Sequence, residues 1–252
     1  VEVLLARPLT LTAYDVLTSV EKIGYVTDLD LEVSRGSTKI GQATNGRAFQ
    51  IQLRNLTFRY QPQENAVLRK INLDIEARSR VCISGYNGAG KSTLIQLIAG
   101  LYDHYEGNIL YNGLPLKNLD INDLRYLIGD TLSQENLFQG TLQENISLGH
   151  ADVGLKEVIE ACEKVGLIPF VQSRPHGYDT PIKPSGKDLS RSIIRRIILA
   201  RGIVTKPRLL LLDEALFRFE HAEKIKLIRW LTDPERRWPL VAVSNDSDLA
   251  EH

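Results

Sequence analysis

The stretch Val81 to Thr93, reading VCISGYNGAGKST, constrains the fold more than any other. Gly85 and Gly90 bracket four free positions, Tyr86, Asn87, Gly88 and Ala89, and Lys91, Ser92 and Thr93 follow. An apolar run from Arg80 to Ser84 precedes the glycines and reads as a buried strand. Leu94, Ile95, Leu97 and Ile98 follow at helical spacing, closed by Gly100. Strand, glycine loop and helix together let backbone N–H groups converge on a β-phosphate at the positive end of a helix. In that pattern Lys91 reaches the β- and γ-phosphates, the Ser92 hydroxyl holds Mg²⁺, and Thr93 lies beside the α-phosphate. The plainer alternative is a glycine-rich turn that matches by composition.

At 252 residues the chain is long enough for one large domain or two small ones. Lys plus Arg and Asp plus Glu number 31 each, so net charge gives no argument for a nucleic-acid partner. Cys82 and Cys162 lie in apolar surroundings and are expected to be core thiols rather than a disulfide, as in a reducing compartment. No run of about 18 apolar residues and no secretory leader is legible. The chain neither starts with Met nor contains one, and is read as a piece of something longer.

Residues 1–47 form a first unit: Leu11, Tyr14, Leu17, Val20 and Ile23 recur at helical spacing, and Asp28 to Asn45 reads as a polar linker. Phe49, Ile51 and Leu53 alternate, as do Ile71, Leu73 and Ile75, giving strands with one buried face. Tyr60 closes the first of them, as a packing aromatic or a ligand contact. Further strands are expected at Gly107–Tyr111, at Tyr126–Thr131 and at Leu240–Ser244, with a helix from Asp120. Leu155, Val158, Ile159, Cys162 and Val165 make one helical stripe. Leu189, Ile193, Ile197 and Ala200 make another, with Arg191, Arg195 and Arg196 off it. Ala222, Ile225, Ile228 and Leu231 mark a later helix. Four leucines from Leu209 form a doubly buried strand ending in Asp213 and Glu214. At a strand's C-terminal end Asp213 can enter a Mg²⁺ shell and Glu214 can take a proton from water; a helix N-terminal charge pair is the alternative. Gln134 follows a strand end and can reach metal or water, or is a solvated loop residue.

The elements give an α/β fold. A P-loop NTPase core, a mostly parallel sheet with flanking helices, carries an N-terminal antiparallel β portion and a helical subdomain inserted at about 134–204.

From Phe49 onward the chain resembles the ATP-binding domain of exporter-type ABC transporters. Tyr60 matches the adenine-stacking aromatic, Gly85 to Thr93 the Walker A loop, and Gln134 in SQENLFQGTLQENI the Q-loop. GYDTPIKPSGKDLS and RRIILARGIV match the signature segment and its helix, and LLLLDEA matches Walker B. The resemblance implies ATP and Mg²⁺ as cofactors, and a head-to-tail dimer of two such domains, homo- or heteromeric. It also implies a transmembrane domain coupled through the Q-loop face, with this part on the cytoplasmic face of the (inner) membrane. Residues 1–47 then read as the cytoplasmic tail of a membrane region plus linker, and 48–252 as the ATP-binding domain.

Several positions depart from the family. The signature LSGGQ reads Leu189-Ser190-Arg191-Ser192-Ile193: Ser190 can still meet a phosphate across the dimer, but side chains replace both glycines. Arg191 is either a charged phosphate contact or a solvated arginine. The switch His is Asn245, which hydrogen-bonds a γ-phosphate but carries no charge. SALD becomes Phe217-Arg218-Phe219-Glu220, and Pro184 stands where exporters carry Glu. Two readings follow: an ATPase slowed by these losses, with Glu214, Gln134 and Asn245 at the catalytic positions, or an ATP-binding switch with little turnover in a heterodimer. A soluble ABC-type ATPase without a membrane part is a third.

Overall fold

The computed structural model describes residues 36–132, 137–216, 219–235 and 238–251. The helix expected in the first unit and residues 28–35 of the linker therefore lie outside the described residues. In chain order the strands are β1 (Ile51–Phe58), β2 (Leu68–Ile75), β3 (Arg80–Ile83), β4 (Glu106–Tyr111), β5 (Leu114–Pro115), β6 (Ile128–Asp130), β7 (Gly140–Thr141), β8 (Pro181–Ile182), β9 (Leu209–Asp213) and β10 (Leu240–Val243). The helices are α1 (Ile40–Ala43), α2 (Lys91–Ile98), α3 (Ile121–Tyr126), α4 (Leu142–Ser147), α5 (Leu155–Val165), α6 (Ile168–Gln172), α7 (Arg191–Val204), α8 (His221–Leu231) and α9 (Ser247–Ala250).

β2, β1, β4 and β5 form an antiparallel sheet in that order. β3, β10, β9 and β6 form a parallel sheet, and β7 pairs with β8 inside the helical insertion. The α/β class, with its antiparallel portion and inserted helices, is thus the observed one.

The two central strands of the parallel sheet, β9 and β10, are buried on both faces, and their alternation shows where each face goes. Leu209, Leu211, Val241 and Val243 enter a core shared with α2 and the antiparallel sheet. Leu210, Leu212, Leu240 and Ala242 enter a second core built from α4, α5, α7 and α8. The four-leucine run supplies both cores at once, because successive side chains point to opposite faces.

Local chemistry sets the helix ends. Asp120 caps α3 by accepting from the Asn122 and Asp123 N–H groups. Thr141 and Glu144 close a reciprocal capping box on α4. Gly166, at φ 71°, ends α5 in the left-handed region.

Three expectations change. Cys82 is exposed while Cys162 is buried. The Arg80–Ser84 run is only partly covered, β3 standing at the edge of the parallel sheet among the described residues. Ile40, in the stretch expected to be linker, is fully buried in the core that holds Phe49. Arg196, off the apolar stripe of α7, is 7% exposed. Its guanidinium donates to the Val165 carbonyl at 2.6 Å, pairs with Glu223 and lies over the Phe219 ring. The buried backbone oxygen and the carboxylate satisfy the charge that burial would otherwise penalise.

β6 and α7 touch through glycine. A Cβ on Gly129 would stand 1.8 Å from the Gly202 carbonyl oxygen, and one on Gly202 2.9 Å from the Asp130 oxygen. Gly129→Ala is expected to destabilise the protein by about 3 kcal/mol, at the upper end of overpacking costs. For a chain of this size that is a fall in Tm of about 6–12 °C. Thermal unfolding checks it; an unchanged Tm would show that this crossing relaxes freely.

Candidate functional site

The site is built on strand ends. Ile83, Val243 and Asp213 lie in register across β3, β10 and β9. The glycine loop leaves after Ile83, Asn245 stands two residues after Val243, and Glu214 follows Asp213. β6 ends beside them: the Thr131 hydroxyl accepts the Asp213 N–H at 3.1 Å, and Asp130 accepts the Leu132 N–H at 3.0 Å. Burial pushes the Asp130 carboxyl up, while the Leu132 N–H, Arg201 and Arg125 pull it back. The crevice at the carboxyl ends of parallel strands is where such sheets hold ligands.

The glycines have distinct work. Gly90 caps α2 at φ 85°, ψ 11°, with no side-chain cap. The first-turn N–H groups of Lys91, Ser92 and Thr93 have no partner in their own helix, as at any helix start. A Cβ on Gly90 would lie 2.8 Å from Leu68 Cδ2 and 3.3 Å from the Val67 carbonyl oxygen. Gly88, at φ 82°, faces open space. The Lys91 ammonium donates to the Gly85 and Tyr86 carbonyls at 2.8 and 2.9 Å, closing the loop on itself.

Tyr86, Asn87, Gly88 and Ala89 form the outer rim, with Tyr86 90% exposed. Ser92 is exposed and Thr93 buried. The Tyr60 hydroxyl shares a hydrogen bond of 2.8 Å with Thr93 Oγ1. Its ring packs edge-on against Phe58 and Tyr102.

Asn245 joins the two halves of the site: its Oδ1 accepts the Gly85 N–H at 3.1 Å. Glu214 is exposed and adopts φ 46°, in the left-handed region where a side chain is strained. Its N–H donates to the Val243 carbonyl at 3.0 Å, which holds that turn.

Ser190 begins α7, its hydroxyl accepting the Ile193 N–H at 3.3 Å. Ser190 and Arg191 are exposed and Ser192 is half-buried. Among the described residues no hydrogen bond or ion pair ties these three to the glycine loop. Gln134, Phe217 and Arg218 lie outside the described residues. Lys224, which sequence periodicity did not single out, pairs with Asp246 and Asp248 beside Asn245.

These groups fit a nucleoside polyphosphate with Mg²⁺. The loop offers N–H donors and an ammonium, and Ser92 and Asp213 offer oxygen ligands. Among the described residues no group of three or more His, Cys, Asp or Glu side chains could hold a metal by itself. Mg²⁺ suits such a site, because it is commonly held by one or two protein oxygens together with phosphates and water.

A protein-family model described as "ABC transporter" matches residues 68–217. The chain belongs to the ABC transporter family. Among relatives, it is 35% identical over 207 residues to the leptomycin B resistance protein pmd1 of Schizosaccharomyces pombe, covering 81% of this chain and 15% of that protein. It is 34% identical over 165 residues to the putative multidrug export ATP-binding/permease protein YgaD of Bacillus subtilis, covering 66% and 28%. It is 34% identical over 197 residues to the leukotoxin export ATP-binding protein LtxB of Aggregatibacter actinomycetemcomitans, covering 78% and 27%. A solved bacterial Atm1-family ABC exporter with ATP bound superposes with a TM-score of 0.78 at 26% identity, over 93% of this chain and 41% of that one. The fold is therefore that of the ABC-type P-loop ATPases. The chain spans less than a third of the length of these curated relatives. No described helix is long and apolar enough to cross a membrane.

Gly90→Ala and Gly88→Ala separate the two demands on the ABC loop. Both incur the left-handed penalty of about 1–2 kcal/mol, but only Gly90→Ala also meets Leu68 and Val67. Gly90→Ala is therefore expected to lower the denaturant midpoint further than Gly88→Ala. Equal midpoints would show that the contact with Val67 and Leu68 carries no weight.

Proposed function

We propose that this chain is the ATP-binding and ATP-hydrolysing domain of an ABC exporter, working as one half of a nucleotide-driven dimer. The observation that carries the reading is the convergence of the glycine loop, Asp213–Glu214 and Asn245 on three adjacent strand ends in register. Family membership and the exporter relatives support it. The substrate of transport belongs to parts of the protein beyond this domain.

In this reading the N–H groups of the loop and Lys91 bind the β- and γ-phosphates, and Tyr60 meets adenine. Ser92, Asp213 and Gln134 would hold Mg²⁺, which when bound neutralises charge on the phosphates. Glu214 accepts a proton from water as its oxygen attacks the γ-phosphorus. The bond to the β-phosphate oxygen breaks, giving ADP and phosphate. Asn245 donates to the γ-phosphate, and Ser190, Arg191 and Ser192 face the ATP of a second domain. A transmembrane domain in the same natural chain, coupled through the face around Gln134, places the domain on the cytoplasmic side of the membrane. Nucleic acid has no part in this reading.

The departures favour slow turnover. Asn245 is neutral where a protonatable side chain serves the family, and side chains at Arg191 and Ser192 crowd the approach of backbone to phosphate. Losing one such transition-state contact costs about 10²–10³ in rate. The same residues favour the second reading, a switch that binds ATP and hardly turns over beside a different subunit.

Steady-state ATP hydrolysis measured against protein concentration separates the readings. Specific activity is expected to rise with concentration, and Glu214→Gln to lower it by about 10²–10⁴, the usual contribution of a general base, with ATP binding retained. Equal residual rates in both proteins would remove Glu214 from the mechanism. Failure to bind ATP would overturn the reading itself.

A further inference from the structure

Lys224 stands in the first turn of α8, the helix that follows the acidic strand end. Its ammonium lies 2.6 Å from Asp246 Oδ2 and 2.5 Å from Asp248 Oδ2, and its side chain is 14% exposed. Asp246 Oδ1 accepts the Asp248 N–H at 3.1 Å, and the Asp246 N–H donates to Ser244 Oγ at 3.0 Å. The Ser244 N–H in turn donates to the Ile83 carbonyl at 3.2 Å. Residues 244–248 are thus tied at one end to β3 and at the other to Lys224. Asn245 sits between the two ties, with Oδ1 on the Gly85 N–H. His221 Nδ1 lies 3.2 Å from Asp248 at the exposed rim.

A surface ion pair contributes little, but this one is mostly covered and joins one ammonium to two carboxylates. The hydrogen bond to Asp246, then that to Asp248, holds the Lys224 ammonium above the ordinary lysine range, and Lys224 draws the Asp248 carboxyl down.

We propose that Lys224 is a positioning residue: by clamping Asp246 and Asp248 it fixes the turn that aims the Asn245 amide at the phosphate loop. The amide oxygen is committed to Gly85, so the two Nδ2 donors remain for a terminal phosphate. The clamp also ties Asn245 to the helix that follows Glu214, linking the terminal-phosphate contact to the strand end that carries the base. This rests on the reading of the site as an ATP site.

ATP and ADP differ by the phosphate that Asn245 would meet, so the ratio of their affinities reports the clamp and general damage does not. MgATP and MgADP are titrated calorimetrically into the full chain, Lys224→Met, Lys224→Arg, Asn245→Ala and the Lys224→Met/Asn245→Ala double variant. Lys224→Met is expected to lower the preference for ATP by about 3–10-fold with ADP affinity unchanged, and the double variant to match Asn245→Ala alone, as for residues acting as one unit. Lys224→Arg keeps the parent ratio. An unchanged ratio in Lys224→Met, or losses that multiply in the double variant, overturns the proposal. Should Lys224→Met fail to fold, Asp246→Asn carries the same test, since Asn still caps the Asp248 N–H while the charge is removed. A parent chain that binds neither nucleotide refutes the ATP site, a different failure from a parent that binds both and ignores Lys224.

Discussion

Everything in the site depends on the register of three parallel strands. Val243 pairs with Ile83 on one side and Asp213 on the other, so the glycine loop, the acids and Asn245 leave the sheet at one level. The register is enforced by burial rather than by the site. Leu209 and Leu211 belong to one core and Leu210 and Leu212 to the other, matched by Val241 and Val243 against Leu240 and Ala242. A slip of one residue would exchange the faces of a whole strand. It would also move Asp213 away from the Thr131 hydroxyl that receives its N–H.

The helical insertion is attached by a second set of contacts. Arg196 on α7 reaches the end of α5 and pairs with Glu223 on α8. Arg201 donates to the Asn145 carbonyl at 2.9 Å, tying α7 to α4. The glycine crossing of β6 and α7 lets the backbone of the insertion touch the backbone of the core. Ser190, at the start of α7, is thereby carried on a helix anchored beside the sheet, although among the described residues no hydrogen bond or ion pair joins it to the glycine loop. That arrangement fits a residue whose partner in the proposed function lies on a second domain.

Patterns that repeat with a structural period were legible in the sequence. The four leucines gave β9, the stripe from Leu155 to Val165 gave α5, and the glycine loop gave its own strand–turn–helix context. Positions decided by neighbours distant in the chain were not. Cys82 looks like a core residue because its strand is apolar, yet its exposure depends on β3 lying at the sheet edge. Arg196 has the character of a solvated residue, but the Val165 carbonyl and Glu223 receive it in the interior. Ile40 lies among polar residues and is buried by a core assembled later in the chain. α8 buries Leu227, Ile228 and Leu231, so its covered face runs up to Lys224, whereas an apolar count from Ala222 passes over a lysine. Charge alone does not mark a residue whose carboxylate partners lie more than twenty positions away.

In the proposed function, Asn245 is a departure from a family motif that keeps one capability and gives up another. An amide has distinct ends, and the Gly85 N–H selects its oxygen. The nitrogen is left as a donor, which in the proposed function keeps a hydrogen bond available to a terminal phosphate. An imidazole in the same place can carry a proton and a charge; an amide carries neither over the pH range in which proteins fold. In the proposed function the charges facing the phosphates are then those of Lys91, Asp213 and Glu214, with Arg191 offered to a second domain. In the proposed function, an amide in place of an imidazole takes away a means of stabilising charge in the transition state. Ground-state recognition of ATP needs only the donors, whereas acceleration needs interactions that strengthen as charge develops. The physical expectation for this combination of residues is binding retained more fully than turnover.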